Sequence, residues 1–318
     1  MNQFEKPTNQ THCKTVPLTG APAQATSPLA ASHLPIASVV IPTYHRPDML
    51  RQCLTSVANA RTEAGANTIE VIVSDDSRDA LSRQLVETEF PWVHYVEGPR
   101  RGPAANRNCG ARRAKGEWLI FTDDDCIAEP GWLTTYLRAF DKSFGIELFE
   151  GRTRADRLRR SNLEESPVNE TGGFLWSCNM AISKRLYQQM NGFCESFPHP
   201  ALEDVDMRLR LRQAGQRASF LQAATICHPY RPRRGVDFIR QHNASYVHLL
   251  DRHPEIWQAY TWWGIATYAV RLVVTVLKDA LRYGVRGSGR SIYAAVTKTL
   301  IDARFKMSGM RRRDTAST

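Results

Sequence analysis

The chain has 318 residues, 42% of them apolar, and a net charge of +10. That length limits it to one large domain or two small ones, and the apolar share supplies a sizeable core. Residues 231–318 carry 16 Lys+Arg against 6 Asp+Glu, so the whole excess sits there and residues 1–230 are neutral. A neutral body with a basic end points to an anionic surface, membrane or nucleic acid, as the partner of that end.

Residues 1–36 are rich in Thr, Ala, Pro and Gln without periodicity, and are expected to be disordered. No basic-then-apolar signal segment is visible among them. Ala37 to Ile41 is a short apolar run of buried-strand type, ended by Pro42. Pro47 to Ala60 reads as a helix, with Pro47 in its first turn and Asp48 favourable to the dipole. A second strand, Ile69 to Val73, ends at Ser74-Asp75-Asp76-Ser77. A helical stretch to about Glu87, a third strand from Trp92 to Val96, a helix from Pro103 to Ala114 and a fourth strand from Glu117 to Phe121 follow. This alternation predicts an α/β fold, a mostly parallel sheet with helices on both faces.

In such sheets ligands bind beyond the carboxyl ends of the strands. Pro42-Thr43-Tyr44, Asp75-Asp76 and Asp123-Asp124-Asp125 all follow predicted strand ends and should meet in one crevice. Acidic clusters so placed are costly unless a cation or a donor-rich ligand joins them. In an extended triplet Asp123 and Asp125 point one way and Asp124 the other.

Residues 145–203 look irregular and loop-rich. From Leu202 to Gly215 a helix is expected, with Leu202, Val205 and Leu209 on one face. Glu203 and Asp204 open it, Asp204 and Arg208 are spaced i, i+4, and Gly215 closes it. The seven cysteines are odd in number and form no CxxC, which fits scattered thiols in a reducing compartment. Cys126 and Cys178 read as packing residues, and a zinc site is not expected.

The segments ASVVIPTYHRPDMLRQCLTSV, EVIVSDDS, GPAANRNCGARRAKGEWLIFTDDDC and NGFCESFPHPALEDVDMRLRLRQAG resemble a family 2 glycosyltransferase of the GT-A, Rossmann-like fold. The resemblance covers roughly Ala37 to Pro229. It implies an inverting enzyme that moves a sugar from a nucleotide-diphosphate donor to an acceptor hydroxyl. By that resemblance Asp76 holds the base, Thr43 and Tyr44 line the nucleoside pocket, and Arg107 matches the Arg of an ARN-like element. Asp123 and Asp125 match the D-x-D element, His228 completes the metal site, and Glu203 lies near the acceptor. Asp204 matches the catalytic base, and Trp176 is either core or acceptor platform. Mn²⁺ or Mg²⁺ is the implied cofactor. Asn106 replaces the Ala of the ARN-like element, and Cys194 replaces the Asp of Gly-Gly-Phe-Asp-Glu. The Gln-x-x-Arg-Trp element of polymerising members is absent, which favours transfer of a single sugar, in cell-surface polysaccharide or glycolipid synthesis. The acceptor is expected to be a sugar or a lipid-linked glycan.

Three readings compete. A sugar nucleotidyltransferase needs a Gly-rich phosphate loop after the first strand, and Pro42-Thr43-Tyr44-His45-Arg46-Pro47 has no glycine. A dehydrogenase needs GxGxxG there, also missing. A non-catalytic membrane or nucleic-acid binder would rest on the basic end alone.

Ala259 to Leu277 is apolar and, at about 1.5 Å per residue, just long enough to cross a bilayer. Arg271 interrupts it, at a cost of about 2.5–3.5 kcal/mol at a helix centre. Thr267, Arg271, Thr275, Lys278 and Arg282 form one polar stripe, and the rest of the helix is apolar. The expectation is an interfacial helix, aided by basic residues onward to Arg311-Arg312-Arg313, on an anionic membrane, ahead of an ordinary packing or oligomer helix and of a true span. The chain is thus divided into a disordered segment 1–36, a transferase domain 37–230 and a basic, helical, membrane-associating region 231–318. The protein is expected in the cytoplasm, peripherally on the membrane, with no nucleic-acid partner.

Overall fold

A computed structural model describes residues 34–142 and 145–316. The first 33 residues, Cys13 among them, lie outside the described residues, as do the side chains of Arg311 to Arg313. The first half alternates as its sequence predicts. Strand β1 (Ala37–Thr43) is followed by α1 (Pro47–Ala64), β2 (Ile69–Asp75), α2 (Leu81–Glu89), β3 (His94–Glu97), α3 (Pro103–Arg113) and β4 (Trp118–Thr122). A two-residue strand β5 (Ile127–Ala128) and α4 (Trp132–Lys142) follow.

The stretch expected to be irregular holds the middle of the sheet. It contains β6 (Leu148–Ala155), β7 (Glu164–Glu165), β8 (Asn179–Ser183) and α5 (Lys184–Gln189). Then come α6 (Glu203–Gln213), β9 (Ser219–His228), β10 (Arg231–Pro232), α7 (Val236–Arg252), α8 (Pro254–Gln258), α9 (Trp262–Tyr283) and α10 (Ser288–Ala316). The main sheet runs β3-β2-β1-β4-β8-β6-β9-β5, and β7 pairs with β10. Four neighbouring pairs are parallel and three antiparallel, the latter at β4–β8, β8–β6 and β9–β5.

Alternation along β1 explains the layers. Val39 and Ile41 face α1 and α4, where Leu50, Leu54, Leu133 and Tyr136 are buried. Val40 faces the other side with Ile72, Ala104, Ala111, Met207 and Leu211. Each fully buried Leu or Val here contributes about 1.5–3 kcal/mol. The predicted face Leu202, Val205 and Leu209 packs against Tyr246, Leu249 and Leu250 of α7.

A buried carboxylate reinforces that contact. Asp206 accepts from Arg210 Nε at 2.7 Å, Arg252 Nε at 2.9 Å and His253 Nε2 at 3.0 Å. Burial works against its charge, but these three partners hold its pKa below the ordinary carboxylate value. The expected pair of Asp204 with Arg208 does not form. Arg208 reaches instead to the carbonyls of Gly173 and Phe174, at 3.0 and 3.1 Å.

Candidate active site

The C-terminal ends of β1, β2 and β4 open into one cleft of about 760 Å³. Its walls include Thr43, Tyr44, Asp76, Arg107, Asp123, Asp125, Trp176, Glu203, Asp204 and His228, while Asp75 and Asp124, also expected in the crevice, are buried behind it.

Asp76 is set by the loop opposite. Its carboxylate accepts the backbone N–H groups of Arg100 at 2.9 Å and Gly102 at 3.0 Å. Burial pushes its pKa up, and these donors oppose the shift. Gly98 makes this approach possible, since a Cβ there would lie 2.2 Å from Asp76 Oδ1. Neighbouring Asp75 serves the fold, accepting from Tyr95 Oη at 3.0 Å and from the Ser77 N–H at 2.8 Å. Asn106, the departure noted in the ARN-like element, ties the strand ends to α3. Its Nδ2 donates to Ser74 O at 2.8 Å and Thr43 O at 3.2 Å.

The acidic triplet divides as its alternation predicts. Asp123 and Asp125 line the cleft, while Asp124 is fully buried. Asp124 accepts from Thr43 Oγ1 at 2.7 Å, and burial pushes its pKa up to about 7. Thr43 therefore spends its hydroxyl on Asp124, and Tyr44 beside it is exposed. Arg46 bridges the triplet: Nη1 donates to Asp125 Oδ2 at 3.0 Å, and Nη2 lies 2.5 Å from Asp124 Oδ1.

Arg107 joins two acidic elements. Its buried guanidinium donates to Asp123 Oδ1 at 2.6 Å and Glu203 Oε1 at 3.1 Å. Burial opposes its charge, but Asp123 and Glu203 more than offset that and raise its pKa. Asp123 is held below the ordinary carboxylate range by the same contact, against the cost of its own burial. Phe193 lies under the guanidinium, 5.7 Å from ring centroid to Cζ. Cys194 next to it, which replaces the family's Asp, has its Sγ 3.1 Å from Ser196 Oγ, and Glu195 pairs with Arg101 at 2.8 Å.

Asp204 sits in the first turn of α6, one residue beyond Glu203. Leu202 before them adopts a left-handed φ of 72°, an uncommon conformation for a branched side chain and one found where a site fixes its backbone. Among the described residues the Asp204 carboxylate accepts one hydrogen bond, from the N–H of Val205 to Oδ1 at 2.8 Å. Burial first, then the charge of Glu203, push its pKa up to about 6, with Arg107 opposing. Trp176 stands on the same cleft and against the ring of Phe174, 4.8 Å away. Glu150 fixes the approach to it by accepting the N–H groups of Gly173, Phe174 and Leu175.

His228, at the end of β9, is buried with Nε2 3.3 Å from Asp125 Oδ1. Together with the thiol of Cys126, these two offer ligand atoms within 4.8 Å of one another. Cys126 packs in the core, and burial pushes its pKa well above the usual thiol value. A hard divalent ion takes oxygen and nitrogen donors ahead of sulfur, so the matching set is a carboxylate oxygen and an imidazole nitrogen, with Asp123 on the same wall. That set fits a hard divalent ion such as Mn²⁺ or Mg²⁺.

Residues 38–190 match glycosyl transferase family 2. A relative, an uncharacterized glycosyltransferase (YfnE) of Bacillus subtilis, is 30% identical over 69% of this chain and 71% of its own length. The chain belongs to glycosyl transferase family 2. It is a glycosyltransferase. Three of the four segments quoted from the sequence fall, apart from Ala37, within the matched residues, and all four contribute residues to this cleft. GalNAc(5)-diNAcBac-PP-undecaprenol beta-1,3-glucosyltransferase of Campylobacter jejuni is 28% identical over 35% of this chain and 36% of its own. Against some further relatives the chain spans only 26% to 50% of their length. The GT-A fold is shared with a mannosyltransferase of Pyrobaculum calidifontis, solved with GDP-Man and Mn²⁺. That structure has a TM-score of 0.55 at 17% identity, over 84% of this chain and 88% of the other.

Sequence reasoning missed Arg46, Arg78, Arg100, Arg231 and Arg234, which also line the cleft. Arg46 stood in the quoted first-strand segment. Arg231 and Arg234 were counted only as part of the basic end.

Proposed function

We propose that this glycosyltransferase moves one hexose-type sugar from a nucleotide-diphosphate sugar to an acceptor hydroxyl, with inversion and without polymerising. One observation carries the reading: Asp204, with its pKa near 6, shares a single cleft with Asp123, Asp125 and His228. Asp204 is charged at neutral pH yet basic enough to take the acceptor proton as the new bond forms. Thr43, Tyr44 and Asp76 receive the nucleoside. Asp125 and His228 would hold Mn²⁺ or Mg²⁺, with Asp123 beside them. When bound, that ion neutralises charge on the leaving diphosphate. That the similar mannosyltransferase was solved with GDP-Man and Mn²⁺ is consistent with a nucleotide-sugar donor and a divalent ion here. Glu203 and Trp176 flank the acceptor. The chain is expected to release nucleoside diphosphate from one of UDP-, GDP- or dTDP-hexose with Mn²⁺ and an acceptor, and chelator should stop the release. Turnover that survives chelation would reject the metal.

We propose further that residues 37–230 act as the catalytic domain and 231–318 rest on an anionic membrane from the cytoplasmic side. Among the described residues no helix is long and apolar enough to cross a membrane. Yet α9 exposes Trp263 at 78%, Val270 at 62%, Leu277 at 59% and Leu281 at 89%. These share one stripe, next to the exposed stripe of Arg271, Thr275, Lys278 and Arg282. α10 adds exposed Ile292, Val296 and Leu300. An apolar stripe beside a basic one suits the headgroup boundary. The lipid-linked acceptor in the name of the Campylobacter relative is consistent with an acceptor carried there. The protein should sediment with phosphatidylglycerol vesicles, and Val270→Glu with Leu277→Glu should abolish this without unfolding it. Unchanged sedimentation of that variant would reject α9 as the contact.

A further inference from the structure

The turn that leaves His228 carries charge that the mechanism above does not use. Arg231 and Arg234 line the cleft with Asp125 and His228. Their commitments differ. Arg231 Nε lies 3.5 Å from Glu165 Oε1. Arg234 makes no ion pair among the described residues, and its guanidinium lies over Phe238, 4.3 Å from the ring centroid. The other cleft arginines around the acidic triplet are occupied: Arg46 by Asp124 and Asp125, Arg107 by Asp123 and Glu203. Arg78 and Arg100 belong to the loops around Asp76.

Partial desolvation and then the charge of Arg231 pull the pKa of Arg234 down, with Arg46 adding to the repulsion and the carboxylates of Glu165 and Asp125 only partly opposing it. A cation that faces other arginines and makes no ion pair among the described residues is a poor stabilising device. It is a good device for receiving an anion. The turn is also held from behind. Arg233 donates Nη1 to Ser291 Oγ at 2.6 Å and its backbone N–H to Leu163 O at 2.6 Å. The Arg233 carbonyl accepts from Arg290 Nη1 at 3.3 Å. Helix α7 begins two residues after Arg234 and supplies the Phe238 ring. A donor fixed before its ligand arrives loses less entropy on binding.

We infer that Arg234, with Arg231 beside it, receives the donor's diphosphate and holds the charge that grows on it as it leaves. This rests on the proposed function. In the transfer, the acceptor oxygen bonds to the anomeric carbon and gives its proton to Asp204. The bond from that carbon to the diphosphate oxygen breaks, and its electron pair goes to the departing phosphate. The planar fork of a guanidinium matches phosphate oxygens in pairs, which a lysine does not.

The test is calorimetric titration of the full chain with UDP, GDP and dTDP and with the three monophosphates, all with Mn²⁺. For the base that binds, Arg234→Ala should weaken the diphosphate about ten- to hundredfold and leave the monophosphate nearly unchanged. Arg234→Lys should recover part of the loss. Equal weakening of both nucleotides, or none, would overturn the role of Arg234 and leave the transferase reading standing. No diphosphate binding by the unaltered chain would overturn both. Arg234 is exposed, so the variants should keep the parent's melting temperature.

Discussion

Asp204→Asn should slow sugar transfer by about 10²–10⁴-fold and leave donor affinity unchanged. The amide oxygen can still accept from the Val205 N–H, the one hydrogen bond that the Asp204 carboxylate makes among the described residues, so the helix start is kept. What is lost is the capacity to take a proton. The unaltered enzyme should show an acid limb in kcat/KM near pH 6, because Asp204 titrates at about 6 and works only when charged. The variant's residual rate should lack that limb. The sign for stability is opposite. A carboxyl whose folded pKa lies above its unfolded value favours the folded state when protonated, so its contribution falls as pH rises from about 4 toward 6. Near-normal turnover by Asp204→Asn would remove Asp204 from the base role.

Arg107→Ala should lower stability by about 3–5 kcal/mol. It leaves Asp123 and Glu203 against each other without their shared counter-charge, and leaves a space over Phe193. It should also act on the chemistry. Arg107 opposes the rise of the Asp204 pKa, so without it the acid limb should move to higher pH. Arg107→Lys keeps the charge but cannot reach both carboxylates through one planar fork, so it should restore stability only in part. Urea unfolding measures the first effect and a pH–rate profile the second. A loss under about 1 kcal/mol would mean that the two carboxylates find other partners.

The crevice was legible because parallel strands write themselves plainly. Each is a mostly apolar run ended by polar residues, and the ends of β1, β2 and β4 carry the residues that meet. The middle of the sheet was not legible. β6 reads Leu-Phe-Glu-Gly-Arg-Thr-Arg-Ala, and its Glu150 is buried only because three backbone N–H groups and Asn169 satisfy it. β8 begins with Asn179, buried because it bonds Trp132, Tyr136 and two backbone carbonyls. No periodicity announces partners that lie so far off in the chain. The missing Asp204–Arg208 pair has the same cause, since carbonyls of the Gly173 loop outcompete a neighbour on the helix. Charge counting hid Arg231 and Arg234, because a tally of basic residues does not say which of them turn back into the cleft.

The central claim is that the acidic crevice binds a diphosphate through a divalent ion. The most direct measurement is calorimetric binding of UDP, GDP and dTDP to the folded full chain, with Mn²⁺ and with chelator. Binding of one nucleotide that vanishes with chelator, and in Asp125→Ala, is the predicted result. Binding that persists undiminished in chelator, or no binding of any of the three, would contradict it.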